Sequence, residues 1–146
     1  MYFDVLPEQK KTDWKGFERA VGAVFEESGY KVLADVRFKT ERRFQIDIIA
    51  YDNYRCFFVD CKDHRYINPS KEEDFVDRQH VRAENFLRSN PELAYKKKFI
   101  LLVSRNKAPS LIWHEAGREK ILAVDFSALN DLLVNIHAYE DELYSF

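Results

Sequence analysis

The stretch RFQIDIIAYDNYRCFFVDCK, residues 43–62, consists of two apolar segments separated by a short polar turn. The segments 43–51 and 55–62 have the length and the β-branched and aromatic content of strands. A two-residue loop at 53–54 suits a hairpin between them. The second segment is apolar until VDCK, residues 59–62, where an acid and a lysine replace the apolar residues expected of a buried strand.

The register of this hairpin predicts a close pair of carboxylates. Opposed residues in an antiparallel pair have position numbers with a constant sum, and the loop at 53–54 sets that sum at 107. Asp47 then lies opposite Asp60, and Lys62 lies on the same face. Like charges opposed at ~4.5–5.5 Å are destabilising, and burial increases the cost. The pair therefore requires a cation, a shared proton or a basic neighbour, and a divalent metal is the simplest solution.

The rest of the chain predicts an α/β fold with a mixed central sheet flanked by helices. Alternation in the first hairpin strand predicts that the even-numbered residues from 44 to 50 share one face. We expect a single domain over 1–146 with a core at about 13–136. The predicted elements are a helix at 13–28 capped by Thr12 or Asp13, strands at 31–38, 43–51 and 55–62, a helix at 71–88, a strand at 98–104, a short helix near 109–118, a strand at 121–126 and a helix from about 127 to 137.

Composition excludes several classes of protein. The chain of 146 residues is 46% hydrophobic and 33% charged, which is typical of a globular domain. It has no apolar run of the ~18–20 residues that span a membrane, and its first residues lack the pattern of a signal peptide. A net charge of −2 argues against coating of nucleic acid through bulk positive charge. Cys56 and Cys61 are predicted on opposite faces of one strand, so we expect free thiols and a reducing, cytoplasmic location.

Two polar residues occupy unusual positions on the predicted helices. Glu18 lies at the edge of the apolar stripe of the first helix, and Gln79 lies inside the apolar stripe of the second. Each alone has an ordinary explanation, a snorkelling acid or a hydrogen-bonded core amide. An Asp-x-Lys tripeptide alone is usually a surface ion pair. The coincidence of all these features with Asp47, on four of the first five predicted elements, favours a functional site.

These pieces resemble the PD-(D/E)XK nuclease superfamily, which has the restriction-endonuclease-like fold with an αβββαβ core. The matching pieces are FERAV with Glu18, QIDIIA with Asp47, VDCK with Asp60 and Lys62, and DRQH with Gln79. The segments GFERAVGAVFEESGYKVLADV and ILAVDFSALNDLL look most like the Mrr-type and archaeal Holliday-junction-resolvase-like branch. The resemblance departs from the family pattern at Ile46, where many members have proline, and at TERRFQ, which replaces a Gly-rich stretch.

The resemblance implies a metal-dependent DNA endonuclease. Asp47, Asp60 and the backbone carbonyl of Cys61 would bind Mg²⁺ or Mn²⁺, and Glu18 would complete the shell through water or bind a second metal. Lys62 would activate water or stabilise the developing charge, and Gln79 would position Lys62 or a phosphate. Homodimerisation is expected by analogy with enzymes that cut two strands. Nucleic-acid contacts are expected from Lys39, Arg42, Arg43, His64 and Arg65, although basic clusters such as 96–98 are on their own solvated surface.

Other readings remain open at the level of sequence. One is a catalytically silent nuclease fold that binds nucleic acid or protein, although opposed acids have little physical reason to persist there. Another is a metal-independent RNA-processing enzyme that would use His64, Tyr66 or His80, whose spacing has no specific signal. The weakest alternative is a zinc site from Cys56, Cys61, His64 and His80, because the cysteines face opposite sides of the strand and no paired C-x2-C motif occurs.

Overall fold

The hairpin at 43–62 forms the middle of a larger sheet in the computed structural model. The structure describes residues 6–62, 69–105, 111–116, 119–140 and 146, with side chains for 14–62, 77–105, 124–140 and 146. Its elements are α1 (Leu6–Glu27), β1 (Lys31–Lys39), β2 (Arg43–Tyr51), β3 (Arg55–Lys62), α2 (Pro69–Ser89), a 3-10 turn (Pro91–Leu93), β4 (Lys97–Ser104), β5 (Leu111–Ala116), β6 (Glu119–Asp125), α3 (Phe126–Val134) and α4 (Ile136–Tyr139).

The sheet is mixed, and helices flank it as predicted. The described strands lie in the order β1-β2-β3-β4-β6-β5. β1, β2 and β3 are antiparallel neighbours, whereas β4 is parallel to both β3 and β6. This arrangement is consistent with a restriction-endonuclease-like core. No helix among the described residues is long and apolar enough to cross a membrane.

Most element boundaries agree with the sequence prediction, and three do not. α1 begins at Leu6, so Thr12 and Asp13 lie inside the helix and do not cap it. The short helix near 109–118 is wrong: Leu111–Ala116 is a strand that pairs antiparallel with β6. Its partner β6 begins only three positions after Ala116, so this is a local pairing that the helix expected near 109–118 concealed. The helix expected at 127–137 is divided at Asn135 into α3 and α4.

Two apolar cores lie on the two faces of the sheet. On the first face, α1 and α3 cover β2, β3 and β4; on the second, α2 covers β2 and β3. Their central residues are Phe17, Val21, Phe25, Ile48, Phe57, Val59, Leu101 and Leu132 on the α1 side, and Ile46, Ile49, Phe58, Ala83 and Phe86 on the α2 side. Burial on both faces explains why β3 and β4 have nearly continuous apolar sequences.

The alternation of β2 breaks at Asp47. Ile48 packs in the α1-side core, but Ile46 packs in the α2-side core, so the prediction that residues 44 to 50 alternate regularly is wrong. The partner strand breaks at the same level, because β1 pairs with β2 on both sides of Asp35 and Asp47 but not at these two positions. Asp35 has φ 49°, a left-handed conformation that is uncommon outside glycine. The tip of the β1–β2 hairpin is therefore rotated relative to its base, and Asp47 lies where the rotation occurs.

Candidate active site

The pairing of β2 with β3 ends just before the acidic residues. Its register is the one predicted from the loop, and its last pair is Ile48 with Val59. β3 remains paired with β4 to its last residue, so β2 and β3 diverge beyond Val59. The backbone N–H of Cys61 donates to Oδ2 of Asp47, with an N–O distance of 2.9 Å. The Asp47 side chain thus supplies the acceptor that the diverging strand no longer provides.

Asp60 lies one position beyond that last pair and is almost completely buried, with 6% exposure. Nζ of Lys62 lies 3.1 Å from its Oδ2. Burial raises the pKa of Asp60 to about 7, with a further increase from Asp47 and a smaller opposing effect of Lys62. Burial is thus the main cost of charging Asp60, and the neighbouring Asp47 adds the repulsion expected between two acids. The structure brings Asp47, Asp60 and Lys62 together.

Glu18 lies on the α1 side of the same site. It lines a pocket of about 350 Å³ together with Asp47. Burial raises the pKa of Glu18, and the charge of Asp47 raises it further. The remaining lining residues are Trp14, Lys15, Arg19, Ala34, Asp35, Arg37 and Gln45. The pocket therefore connects the helix that carries Glu18 with the strand that carries Asp47.

Gln79 lies on the α2 side, near the end of β3. Because β3 and β4 are parallel, the connecting helix α2 returns antiparallel to β3. Phe86 contacts Phe58, with ring centroids 6.3 Å apart. Gln79 precedes Phe86 by two turns, roughly 10 Å of helix toward the end of β3. Gln79 is 1% exposed; its Oε1 accepts from Arg82 at 3.3 Å, and its Nε2 has no acceptor among the described residues.

The oxygen atoms at the end of β3 suit a hard divalent cation. The carboxylates of Asp47 and Asp60 and the backbone carbonyl of Cys61 would supply hard ligands, and a bound cation would offset the burial and the repulsion that raise the pKa of Asp60. Within the part of the chain that the structure describes, no three His, Cys, Asp or Glu side chains form a metal cluster, so Glu18 does not join the two aspartates directly. Mg²⁺ commonly binds two carboxylates and fills its remaining coordination positions with water and phosphate oxygens.

The residues expected to contact nucleic acid lie partly at the tip of the β1–β2 hairpin. Lys39 and Arg43 line a cleft there, and the guanidinium of Arg42 lies 5.0 Å from the ring centre of Phe44. His64 and Arg65 lie outside the described residues. The basic group 96–98 has local structural roles instead, since Lys96 donates to the carbonyl of Asp52 and Lys98 to that of Ala94.

Sequence reasoning missed Asp35 and Arg82. Oδ1 of Asp35 accepts from Gln45 at 2.8 Å and from Arg37 at 3.2 Å, and the pairs on either side place Asp35 across from Asp47, although these two residues are not themselves paired. The constant-sum argument does not find this position from the predicted strand bounds, because the real β1–β2 loop is one residue shorter than those bounds imply. Arg82 was missed because nothing in the sequence distinguishes it from the other charged residues of α2; its side chain donates to Gln79, one helical turn earlier.

The alternative zinc site is not formed among the residues that the structure describes. Cys56 packs in the α2-side core and Cys61 in the α1-side core, which confirms that the two thiols are on opposite faces. His80 pairs with Glu84 at 2.8 Å. The other residues of the RNA-processing alternative, His64 and Tyr66, lie outside the described residues.

Comparison with known proteins identifies the family. The nuclease-related domain, NERD, matches residues 13–115, a range that includes β1 to β4, α2 and all five predicted catalytic residues. A crystal structure of a protein of unknown function, AF1548, is similar at a TM-score of 0.46 and 14% identity over 64% of this chain, which spans 48% of that protein. No curated protein shows significant sequence similarity. The chain belongs to the nuclease-related domain family.

Proposed function

We propose that this protein is a metal-dependent DNA endonuclease of the PD-(D/E)XK superfamily, in its Mrr-type branch, acting in DNA repair, recombination or restriction. One observation carries the proposal: Asp47 bonds the backbone of β3 beside buried Asp60, whose carboxylate faces Lys62 at 3.1 Å. Two acids and a lysine at the end of a buried strand are costly to stability, and phosphodiester hydrolysis is a reaction that uses all three. Membership of a nuclease-related family supports the same reaction class.

Asp47, Asp60 and the carbonyl of Cys61 would hold Mg²⁺ or Mn²⁺. When bound, the metal supplies a Lewis acid for the phosphoryl oxygen and lowers the pKa of a coordinated water. The hydrogen bond from the Cys61 N–H fixes Oδ2 of Asp47 and with it the position of the carboxylate. Glu18 lies in the neighbouring pocket, where it would accept a hydrogen bond from a metal-bound water.

Lys62 supplies positive charge where the attacked phosphate becomes more negative. Its side chain is 36% exposed, so Nζ can reach a substrate while it remains in contact with Asp60. The buried Nε2 of Gln79 is a donor that a phosphate oxygen or the attacking water could use. Cleavage of both strands of a duplex would require two such sites, and we propose a homodimer for that reason.

The decisive experiment is a nuclease assay with Mg²⁺ or Mn²⁺ on linear, flapped, single-stranded and four-way-junction DNA. Lys62→Ala and Asp47→Ala should each reduce the rate by about 10²–10³-fold, the usual loss when one electrostatic stabiliser is removed. Lys31→Ala, an exposed lysine at the start of β1, is the matched control and should keep the wild-type rate.

Three outcomes would contradict the proposal. Cleavage that survives in both active-site variants would identify a contaminant. Binding of DNA without cleavage under any metal would favour the silent binding module. Cleavage of RNA in EDTA would favour the metal-independent alternative.

A further inference from the structure

A second cleft, of about 700 Å³, lies between the tip of the β1–β2 hairpin and α2. Its walls are held in place from both sides. Phe38 packs edge-on against Phe86 of α2 with centroids 5.5 Å apart, and Oγ1 of Thr40 donates to Oδ1 of Asn85 at 3.1 Å. The cleft is therefore a preformed feature, and a ligand would not have to order it.

The lining of this cleft is strongly basic. It contains Arg37, Lys39, Arg43 and Arg82, and no carboxylate. Lys39 and Arg43 are directly paired across the two strands, where like charges are destabilising. The whole chain has a net charge of −2, so this concentration of cations is local. A site that accumulates such repulsion gains most from a ligand with several negative charges.

The cleft is continuous with the candidate active site. Arg37 and Gln45 line both the cleft and the pocket that contains Glu18 and Asp47. Arg43 precedes Asp47 by four strand residues, roughly 13 Å. That distance corresponds to about four nucleotides of one strand at ~3.4 Å each. Arg82 adds a second link, since it also donates to Gln79.

We propose that this cleft binds the phosphodiester backbone of a nucleic-acid substrate, on one side of the bond that is cut and within about four nucleotides of it. The inference rests on the proposed function for the position of the cut, but binding in the cleft does not require hydrolysis. Phosphate contacts place the strand without reading its sequence, so the cleft contributes affinity and orientation and no base preference.

The test is fluorescence anisotropy of the full chain with duplex and single-stranded DNA in EDTA, at salt concentrations from 50 to 200 mM. The test variant is Lys39→Gln/Arg82→Gln, and the control is Lys31→Gln/Arg88→Gln, which removes the same charges from exposed positions on the same two elements. Arg37→Gln/Arg43→Gln is a second test variant that leaves the Gln79 contact intact. Thermal unfolding verifies that each variant is folded.

Each phosphate contact contributes about 0.9 to the slope of log K against log salt for duplex DNA, and about 0.7 for single strands. Both test variants should therefore lower the slope by about 1.8 for duplex DNA or about 1.4 for single strands, while the control retains the wild-type slope. For duplex DNA, the ratio of wild-type to variant affinity should fall about twelvefold between 50 and 200 mM salt.

The inference is overturned if both test variants keep the wild-type slope, if the control loses as much, or if polyglutamate competes as well as DNA of equal charge. These results are separable from the catalytic proposal. Slope changes without any cleavage by the wild type would support the cleft and count against the nuclease. Cleavage with unchanged slopes would refute the cleft alone.

Discussion

Replacing Asp60 with asparagine should stabilise the metal-free protein at neutral and alkaline pH. Burial and the neighbouring Asp47 raise the pKa of Asp60 from 3.8 to about 7 in the folded chain. Below pH ~4 this acid is protonated in both the folded and unfolded states, so it costs nothing. Between about pH 4 and 7 only the unfolded chain releases the proton, so the free energy of unfolding falls as the pH rises. Above pH ~7 the full penalty remains.

The magnitude follows from the shift. A rise of the Asp60 pKa from 3.8 to about 7, at ~1.4 kcal/mol for each unit, gives a penalty of about 4 kcal/mol at pH 8, caused mainly by burial of the charged carboxylate. Asparagine keeps the shape of the side chain and removes the charge. The stability difference between Asp60→Asn and the wild type should therefore grow from near zero at pH 4 to several kcal/mol at pH 8.

Urea unfolding in EDTA at pH 4–8 measures this difference. Asp131→Asn, at an exposed position of α3, is the matched control and should change stability by less than ~0.5 kcal/mol at every pH. Mg²⁺ at 100 times its dissociation constant should restore ~2.7 kcal/mol to the wild type and little to Asp60→Asn. A variant that is less stable than the wild type at pH 8, or a difference that does not grow with pH, would refute the reasoning.

Two further predictions concern buried polar groups. Gln79→Leu should leave stability unchanged or increase it by about 1–2 kcal/mol, because it removes a buried donor without an acceptor among the described residues. The same variant should reduce nuclease activity at least tenfold. Thermal unfolding measures the stability, and a loss would show that Nε2 has a partner. Glu140→Ala should lower the free energy of unfolding by about 3 kcal/mol, because it leaves buried Arg55 without its carboxylate partner at 3.0 Å. Lys97→Ala removes an exposed partner of the same acid and should cost less than ~1 kcal/mol in urea unfolding. Equal losses in the two variants would contradict the importance of burial.

The pairing of β2 with β3 was predictable because it is local. A two-residue loop leaves one register without a bulge, and that register is present from Tyr51 to Ile48. The spacing within this short segment therefore places Asp47 near Asp60, whatever the rest of the fold is. The pairing of Leu111–Ala116 with β6 is equally local, since only two residues separate the two strands, and the same spacing argument would have found it. The helix expected near 109–118 covered both the strand and that gap, so the hairpin was missed.

The break of alternation at Asp47 also depends on distant contacts. Ile46 turns toward Phe58 and α2, while Ile48 turns toward α1, and both are apolar residues that a regular strand would place on one face. Period-two patterns cannot report the break, because the apolar residues continue through it. The matching irregularity at Asp35 was hidden for the same reason, since a positive φ at an aspartate has no sequence signature of its own.

The sequence by itself determined the hairpin, its register and the meeting of two acids with a lysine, because these follow from spacing within twenty consecutive residues. Tertiary structure alone decided the hydrogen bonding and the surroundings of those acids. It separates β2 from β3 so that Asp47 bonds the N–H of Cys61, and it joins Thr40 to Asn85, 45 positions apart, to form the basic cleft. Such contacts depend on packing between distant segments, and local pattern does not encode which distant surfaces will meet.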